Sequence, residues 1–173
     1  MPAVTIRRMT VEDLPTIARW LREPHVARWF VPETTSDAEV EKYLLRIEDL
    51  FSATTMGTVE LDGWAVGFCQ WYRWADYPAA GLLYGADSRD VGADYAIGET
   101  TVLGHGVGTA LIGTLVAEVR QHYPRAGFLV APDADNVASR RVLEKNGFKL
   151  VDVRPVTSEP HDRPMAIYRL APY

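Results

Sequence analysis

Apolar residues return at helical spacing over Leu14, Ile17, Ala18 and Leu21. This predicts a helix begun by Thr10, with Asp13 at the reciprocal capping position, and stopped at Pro24. Val4–Arg7 before it predicts a strand, and His25–Phe30 after it is a short aromatic-bearing piece ahead of Pro32. Ser36-Asp37-Ala38-Glu39 has the form of a capping box, and Val40, Tyr43, Leu44 and Ile47 mark one face of a second helix. The pattern then shortens. Met56–Leu61 and Trp64–Tyr72 predict two strands joined by the hairpin signal Asp62-Gly63. Residues 73–90 are rich in Tyr, Ala, Gly and Asp and read as a long loop. Val91–Ile97 predicts a strand, and Ala110, Leu111, Leu115, Val116 and Val119 give a helical stripe. A short buried strand is expected at Ala126–Ala131, a helix at Asn136–Asn146 with Gly147 as its left-handed stop, and two closing strands at Phe148–Val153 and Met165–Leu170. This order predicts an α/β (α+β) protein, a mixed sheet with helices packed on it, in a single domain over 1–173.

Composition narrows the function classes. The chain has 173 residues, 47% of them hydrophobic and 24% charged, enough apolar material for a core. No stretch approaches the roughly 20 apolar residues of a membrane span, and the first eight residues lack the apolar centre of a signal peptide. The single cysteine, Cys69, excludes an internal disulfide and a multi-cysteine metal site, and its apolar strand predicts a buried, inert thiol. His25 and His105 have no partner at metal-ligand spacing, so no metal is expected. A cytoplasmic protein follows, with no membrane or nucleic-acid partner. The net charge of -5 disfavours nucleic acid and suits a cationic substrate.

The candidate chemistry lies at Leu103-Gly104-His105-Gly106-Val107-Gly108-Thr109, where a strand leads through glycines into a helix. Glycines permit a tight turn with uncovered amides, and a helix N-terminus adds positive dipole. Together they suit a pyrophosphate without a lysine. A Walker loop would need Gly-Lys-Ser/Thr, which is absent, and the spacing is too short for a dinucleotide fingerprint. A turn needed only for packing is the other reading.

One strand later comes Asn136-Val137-Ala138-Ser139-Arg140-Arg141-Val142-Leu143-Glu144-Lys145-Asn146-Gly147-Phe148. With the glycine turn, this pair of segments resembles the GNAT acetyltransferases. The resemblance implies the GNAT fold: a central mixed, mostly antiparallel sheet with splayed middle strands and helices on both faces. It implies acetyl-CoA as cofactor, held at Ile97, Val102, Leu103, Gly104, His105, Gly106, Val107, Gly108 and Thr109. It assigns Asn136 to the pantetheine arm and Ser139 and Arg140 to the cofactor's far end. Asn136 is also placed as a helix N-cap, a role compatible with the first. Two positions depart from the family pattern: Leu103 stands where Gln or Arg is usual, and Leu143 where many members carry a tyrosine near the sulfur.

Further segments resemble the aminoglycoside 6'-N-acetyltransferase branch: Arg7-Arg8-Met9-Thr10…Trp20-Leu21…His25-Val26…Trp29, then Val66-Gly67-Phe68-Cys69-Gln70-Trp71-Tyr72, then Gly92-Ala93-Asp94-Tyr95. The resemblance places a general base at Asp94 and a substrate surface at Trp29, Gln70, Tyr72, Asp94, Asp133 and Asp135. A second acid expected in this branch falls on Ala131. Asp76, Asp87, Asp90 and Glu99 are further acids able to line an acceptor site, and Trp71 and Trp74 further flat surfaces.

An ammonium must lose its proton before it attacks a thioester, which gives a carboxylate at Asp94 a purpose. Direct attack in a ternary complex is expected, with an N–H near Tyr95–Ile97 on the carbonyl oxygen. Three alternatives stand beside the 6'-amine of an aminoglycoside: a ribosomal-type protein N-terminus, a hydroxylysine-type siderophore precursor, and a non-catalytic CoA-binding module. A monomer or homodimer is expected.

Overall fold

The computed structural model describes residues 3–30, 35–157 and 163–173. Seven strands hydrogen-bond in the order β1-β2-β3-β4-β5-β7-β6. They are β1 (Val4–Arg8), β2 (Thr54–Leu61), β3 (Trp64–Arg73), β4 (Asp90–Ile97), β5 (Gly127–Val130), β6 (Lys149–Arg154) and β7 (Met165–Leu170). The helices are α1 (Leu14–Trp20), α2 (Pro24–Phe30), α3 (Ser36–Glu48), α4 (Pro78–Tyr84), α5 (Val107–His122) and α6 (Val137–Lys145). The pairs β1/β2, β5/β7 and β6/β7 are antiparallel, whereas β4/β5 is parallel. The parallel pair is the one joined through α5, since parallel neighbours need a crossover. Its ladder is short, Asp90 to Gly127 and Val91 to Phe128.

Two compact units divide the chain, Met1–Trp71 with Asp94–Leu111, and Tyr72–Ala93 with Ile112–Tyr173. In the first unit the predicted helical stripes meet in one core: Ile17, Trp20 and Leu21 of the α1 region, Tyr43 of α3, Met56 of β2 and Phe68 of β3. Asp62 and Gly63 have φ of 51° and 82°, the positive pair that a two-residue hairpin requires between β2 and β3. In the second unit Trp74, Tyr84, Leu129, Val156, Met165 and Ile167 form the core, and the Trp74 indole N–H donates to the Leu129 carbonyl at 3.0 Å.

Several expectations need correction. The stretch 73–90 is not a loop: it holds a 3-10 turn at Trp74–Asp76 and then α4. Pro78 opens α4 at a position where its missing N–H costs nothing, and Gly85 at φ 74° closes it. Helix α1 ends at Trp20, capped at Leu21, before Pro24 is reached, and Pro24 instead begins α2. The cap of α3 is Thr35 rather than Ser36, its hydroxyl accepting from the Ala38 N–H at 3.2 Å. Pro32, which follows the aromatic-bearing piece, falls outside the described residues. Gly147 stands at φ 84°, as a helix stop requires.

At one edge of the sheet, β6 exposes Leu150, Val151 and Val153. Its register against β7 shifts between Leu150 and Asp152.

Asp13 anchors the start of the first unit. Arg7 clamps it with two bonds of 2.6 and 2.7 Å, and the Thr58 hydroxyl and Thr10 N–H donate to it at 3.0 and 2.9 Å. These donors, the guanidinium foremost, hold the Asp13 carboxyl at about 2 against an ordinary 3.8. A lowered folded value stabilises above pH ~4 and is lost as pH falls towards 2. With solvent screening the contribution is about 1 kcal/mol. Asp13→Asn is therefore expected to lower the denaturation midpoint at pH 7 and to make little difference near pH 2, as urea titrations at the two pH values would read.

Candidate active site

The first unit assembles a polar chain around Asp94. Asp94 lies on β4, partly buried, and accepts from the Gln70 Nε2 of β3 at 2.6 Å. The Gln70 Oε1 in turn accepts from Arg46 Nη1 of α3 at 2.5 Å. Gln70 is buried, so its amide is held in one orientation: its oxygen faces a guanidinium and its nitrogen a carboxylate. One end of the chain is a fixed cation and the other a carboxylate.

Helix α3 contributes more than Arg46. Glu39, Tyr43 and Arg46 fall four and three residues apart on one face. Burial first, then the carboxylates of Glu39 and Asp94, push the Tyr43 hydroxyl well above its ordinary range, so it stays protonated. Lys42 pairs with Glu39 at 2.6 Å. In the sequence Tyr43 belongs to the apolar face of this helix and Glu39 to its capping box, and Arg46 is not among the predicted site residues. The available signal was a polar set sharing the face of the apolar stripe.

The glycine turn has the predicted form. Gly104 and Gly106 stand at φ 78° and 82°, and α5 begins at Val107 and runs for 16 residues. Nothing lies within 4 Å of a Cβ built on either glycine, and residues 103–106 are exposed. Here glycine is required by backbone conformation rather than crowding. The first N–H groups of α5 have no acceptor within the helix. The turn is open, amide-lined and positive, which suits the pyrophosphate of coenzyme A. Val102 closes the 3-10 turn Thr100–Val102 before it, and the Ile97 carbonyl is bonded to His25 Nε2 at 2.9 Å.

In the second unit Asn136 is the N-cap of α6, its Oδ1 accepting from the Ser139 N–H at 3.1 Å. Its amide NH2 has no partner among the described residues. Arg140 is more committed: it donates to the Tyr168 hydroxyl at 3.1 Å and the Ala134 carbonyl at 3.0 Å, and Tyr168 donates to Glu144 at 2.6 Å. Leu143 is fully buried.

Of the other candidate acids, all but Asp135 are engaged by donors. Glu99 accepts from Arg19 and from the Trp20 indole, and that pairing with Arg19 draws its carboxyl down. Asp76 is clamped by Arg73, and Asp87 and the buried Asp90 by Arg169. Asp133 is buried, pairs with Arg163 at 3.0 Å and accepts from the Asp135 N–H at 2.9 Å, closing the turn before α6. Asp135 is exposed. Trp29 lies beneath Arg28 at 4.6 Å, and Tyr72 meets Trp74 and Tyr77 edge-on. Of the predicted substrate residues, Gln70 and Asp94 are bonded to each other, and so are Asp133 and Asp135.

The acetyltransferase (GNAT) domain family matches residues 10–155, which include parts of both units. The chain belongs to this family. Lysine N-acyltransferase MbtK of Mycolicibacterium paratuberculosis is 24% identical over 98% of this chain and 74% of its own length. Aminoglycoside N(6')-acetyltransferase type 1 of Klebsiella pneumoniae is 29% identical over 85% and 74%. The crystal structure of aminoglycoside acetyltransferase AAC(6')-Ib in complex with coenzyme A and kanamycin superposes with a TM-score of 0.82 at 26% identity, over 98% of this chain and 95% of that one. The GNAT chain described here is accordingly an acetyl-CoA-dependent N-acetyltransferase. Among the described residues no helix is long and apolar enough to cross a membrane, and no group of three or more potential ligands is placed to hold a metal ion.

Proposed function

We propose that the protein acetylates the 6'-amine of an aminoglycoside, with Asp94 as general base and residues 1–173 acting as one domain. The observation that carries this reading is the bond from Gln70 to Asp94, which aims a carboxylate on the β4 strand of a GNAT fold. The resemblance to aminoglycoside enzymes in sequence and in structure supports it.

Acetyl-CoA would supply a thioester carbonyl for an amine to attack, the C–S bond breaking as coenzyme A leaves as a thiolate that takes a proton from water. Asp94 holds the incoming ammonium through charge and takes its proton, directly or through one water. Gln70 fixes the carboxylate's orientation, and Arg46 fixes Gln70. A β4 N–H between Tyr95 and Ile97 donates to the carbonyl oxygen as charge builds on it. In the first unit the open turn at residues 103–109 would hold the cofactor's pyrophosphate; Asn136, in the second unit, is assigned to the pantetheine arm by the resemblance alone. No cysteine is needed: Cys69 is buried. In the first unit Trp29 extends the acceptor surface; Asp135, in the second unit, is assigned to it by the resemblance alone.

Gln70→Ala leaves Asp94 without its positioning donor. The loss of one charge-assisted hydrogen bond is expected to lower kcat about tenfold, with the KM for acetyl-CoA unchanged. Steady-state kinetics in both substrates reads this. A fall confined to the acetyl-CoA KM would place Gln70 with the cofactor instead.

Arg46 favours a second reading. A guanidinium two bonds from the base gains nothing from a polycationic sugar, but it matches an acceptor that carries its own carboxylate, such as the side-chain amine of a lysine derivative. The match to a lysine N-acyltransferase agrees with this. Thiol release from acetyl-CoA, measured with kanamycin and with N6-hydroxylysine, separates the two. Saturable release with kanamycin and one acetyl group on the product supports the first. Release with hydroxylysine alone overturns it in favour of the second. Release with neither overturns both.

A further inference from the structure

The second unit holds a cleft of about 410 Å³ where the C-terminal end of α5 meets the segments leading into β4 and β5. Three arginines line it, Arg73, Arg89 and Arg125, with no aspartate or glutamate among the lining residues. This is unexpected in a chain of net charge -5. The acetyl-transfer reading does not use the cleft, and the glycine turn leads into the other end of α5.

The arginines differ in state. Arg73 is clamped by Asp76 at 2.7 Å, so its charge is largely offset, and its guanidinium lies 5.7 Å from the centre of the Tyr123 ring. Arg89 and Arg125 are exposed and have no hydrogen-bond or ion-pair partner among the described residues. Two uncompensated guanidiniums outweigh the roughly half negative charge of the α5 C-terminus nearby. Their planar forks match the oxygens of a phosphate or carboxylate.

Size and the remaining walls specify the rest of the ligand. Inorganic phosphate would fill a small part of 410 Å³, which lies in the range of small-molecule pockets. Val91 and Ala126 are buried apolar floor, and Tyr123 is a partly exposed ring already held by Arg73. We infer that this cleft binds a small organic anion, a phosphate monoester or carboxylate on a flat apolar body. The anion sits between Arg89 and Arg125 and the flat body against Tyr123.

Isothermal titration of the protein saturated with coenzyme A, which keeps anions from the glycine turn, tests the inference. The probes are phenyl phosphate, benzoate, inorganic phosphate and phenol. Phenyl phosphate or benzoate is expected to bind at least about tenfold more tightly than inorganic phosphate and phenol, and the tighter of the two identifies the anion. The double variant R89A/R125A is expected to weaken that binding at least about tenfold, as loss of charge-assisted bonds requires. Both residues are exposed and outside the acetyl-transfer site, so the KM for acetyl-CoA stays unchanged. Equal affinity for inorganic phosphate and both ring compounds, or full affinity in the double variant, overturns the inference.

Discussion

Asp94→Asn is expected to lower the rate of acetyl transfer by a factor of about 10²–10⁴ while leaving acetyl-CoA affinity within about twofold of the parent. The substitution is nearly isosteric, and the Gln70 amide at 2.6 Å can still meet the remaining carbonyl oxygen. What is lost is the ability to take a proton and the charge that holds an ammonium. Isothermal titration with acetyl-CoA and steady-state rates of thiol release read the two effects separately. An unchanged rate would remove Asp94 from the chemistry, and the non-catalytic or differently based alternatives would then have to be reopened. A higher pH is expected to recover part of the lost rate, because more of the acceptor then arrives already as free amine.

The second large effect is structural. A Cβ on Gly67 would stand 2.3 Å from the Ala96 carbonyl oxygen and 3.1 Å from the Ile97 Cα. Both obstacles are backbone of β4, so no side-chain rotation relieves the contact. Gly67→Ala is expected to cost about 3 kcal/mol, the upper part of the overpacking range, and to lower the melting temperature by roughly 6–12 °C for a chain of this size. The shift must displace Ala96 and Ile97, two and three residues beyond Asp94. The variant is therefore expected to lose turnover at temperatures where it is still folded. Calorimetry together with activity at 15 °C checks both parts, and an unchanged melting temperature would refute the crowding argument.

Local patterns carried much of this fold. Helix α5, the Asp62-Gly63 hairpin and the Asn136 cap all rest on contacts between near neighbours, and so did their prediction. The cap of α3 was placed one residue late because Thr35 and Ser36 are both capping residues, and only the backbone decides which one is extended. Helix α4 was missed because its seven residues offer too short a stripe against a background of Gly, Tyr and Asp. The site was legible as a set of names but not as a network. Gln70 and Asp94 were singled out separately, and their bond joins residues 24 apart. Arg46 shares a face of α3 with Glu39 and Tyr43, but only its bond to Gln70, 24 residues on, gives that placement a meaning. Asp90 and Glu99 looked available as acids because the arginines that engage them, Arg169 and Arg19, lie about 80 residues away.

The outermost strand β6 carries a consequence for how the protein behaves among its own copies. Among the described residues it is an edge strand with Leu150, Val151 and Val153 exposed, a surface on which intermolecular sheet pairing can begin. The irregular step between Leu150 and Asp152 breaks the straight run that a stacking neighbour would need. The Asp152–Arg154 ion pair would have to be dehydrated beside it. Straightening that step and neutralising the pair is expected to favour edge-to-edge pairing between copies, with every residue of the candidate site unchanged.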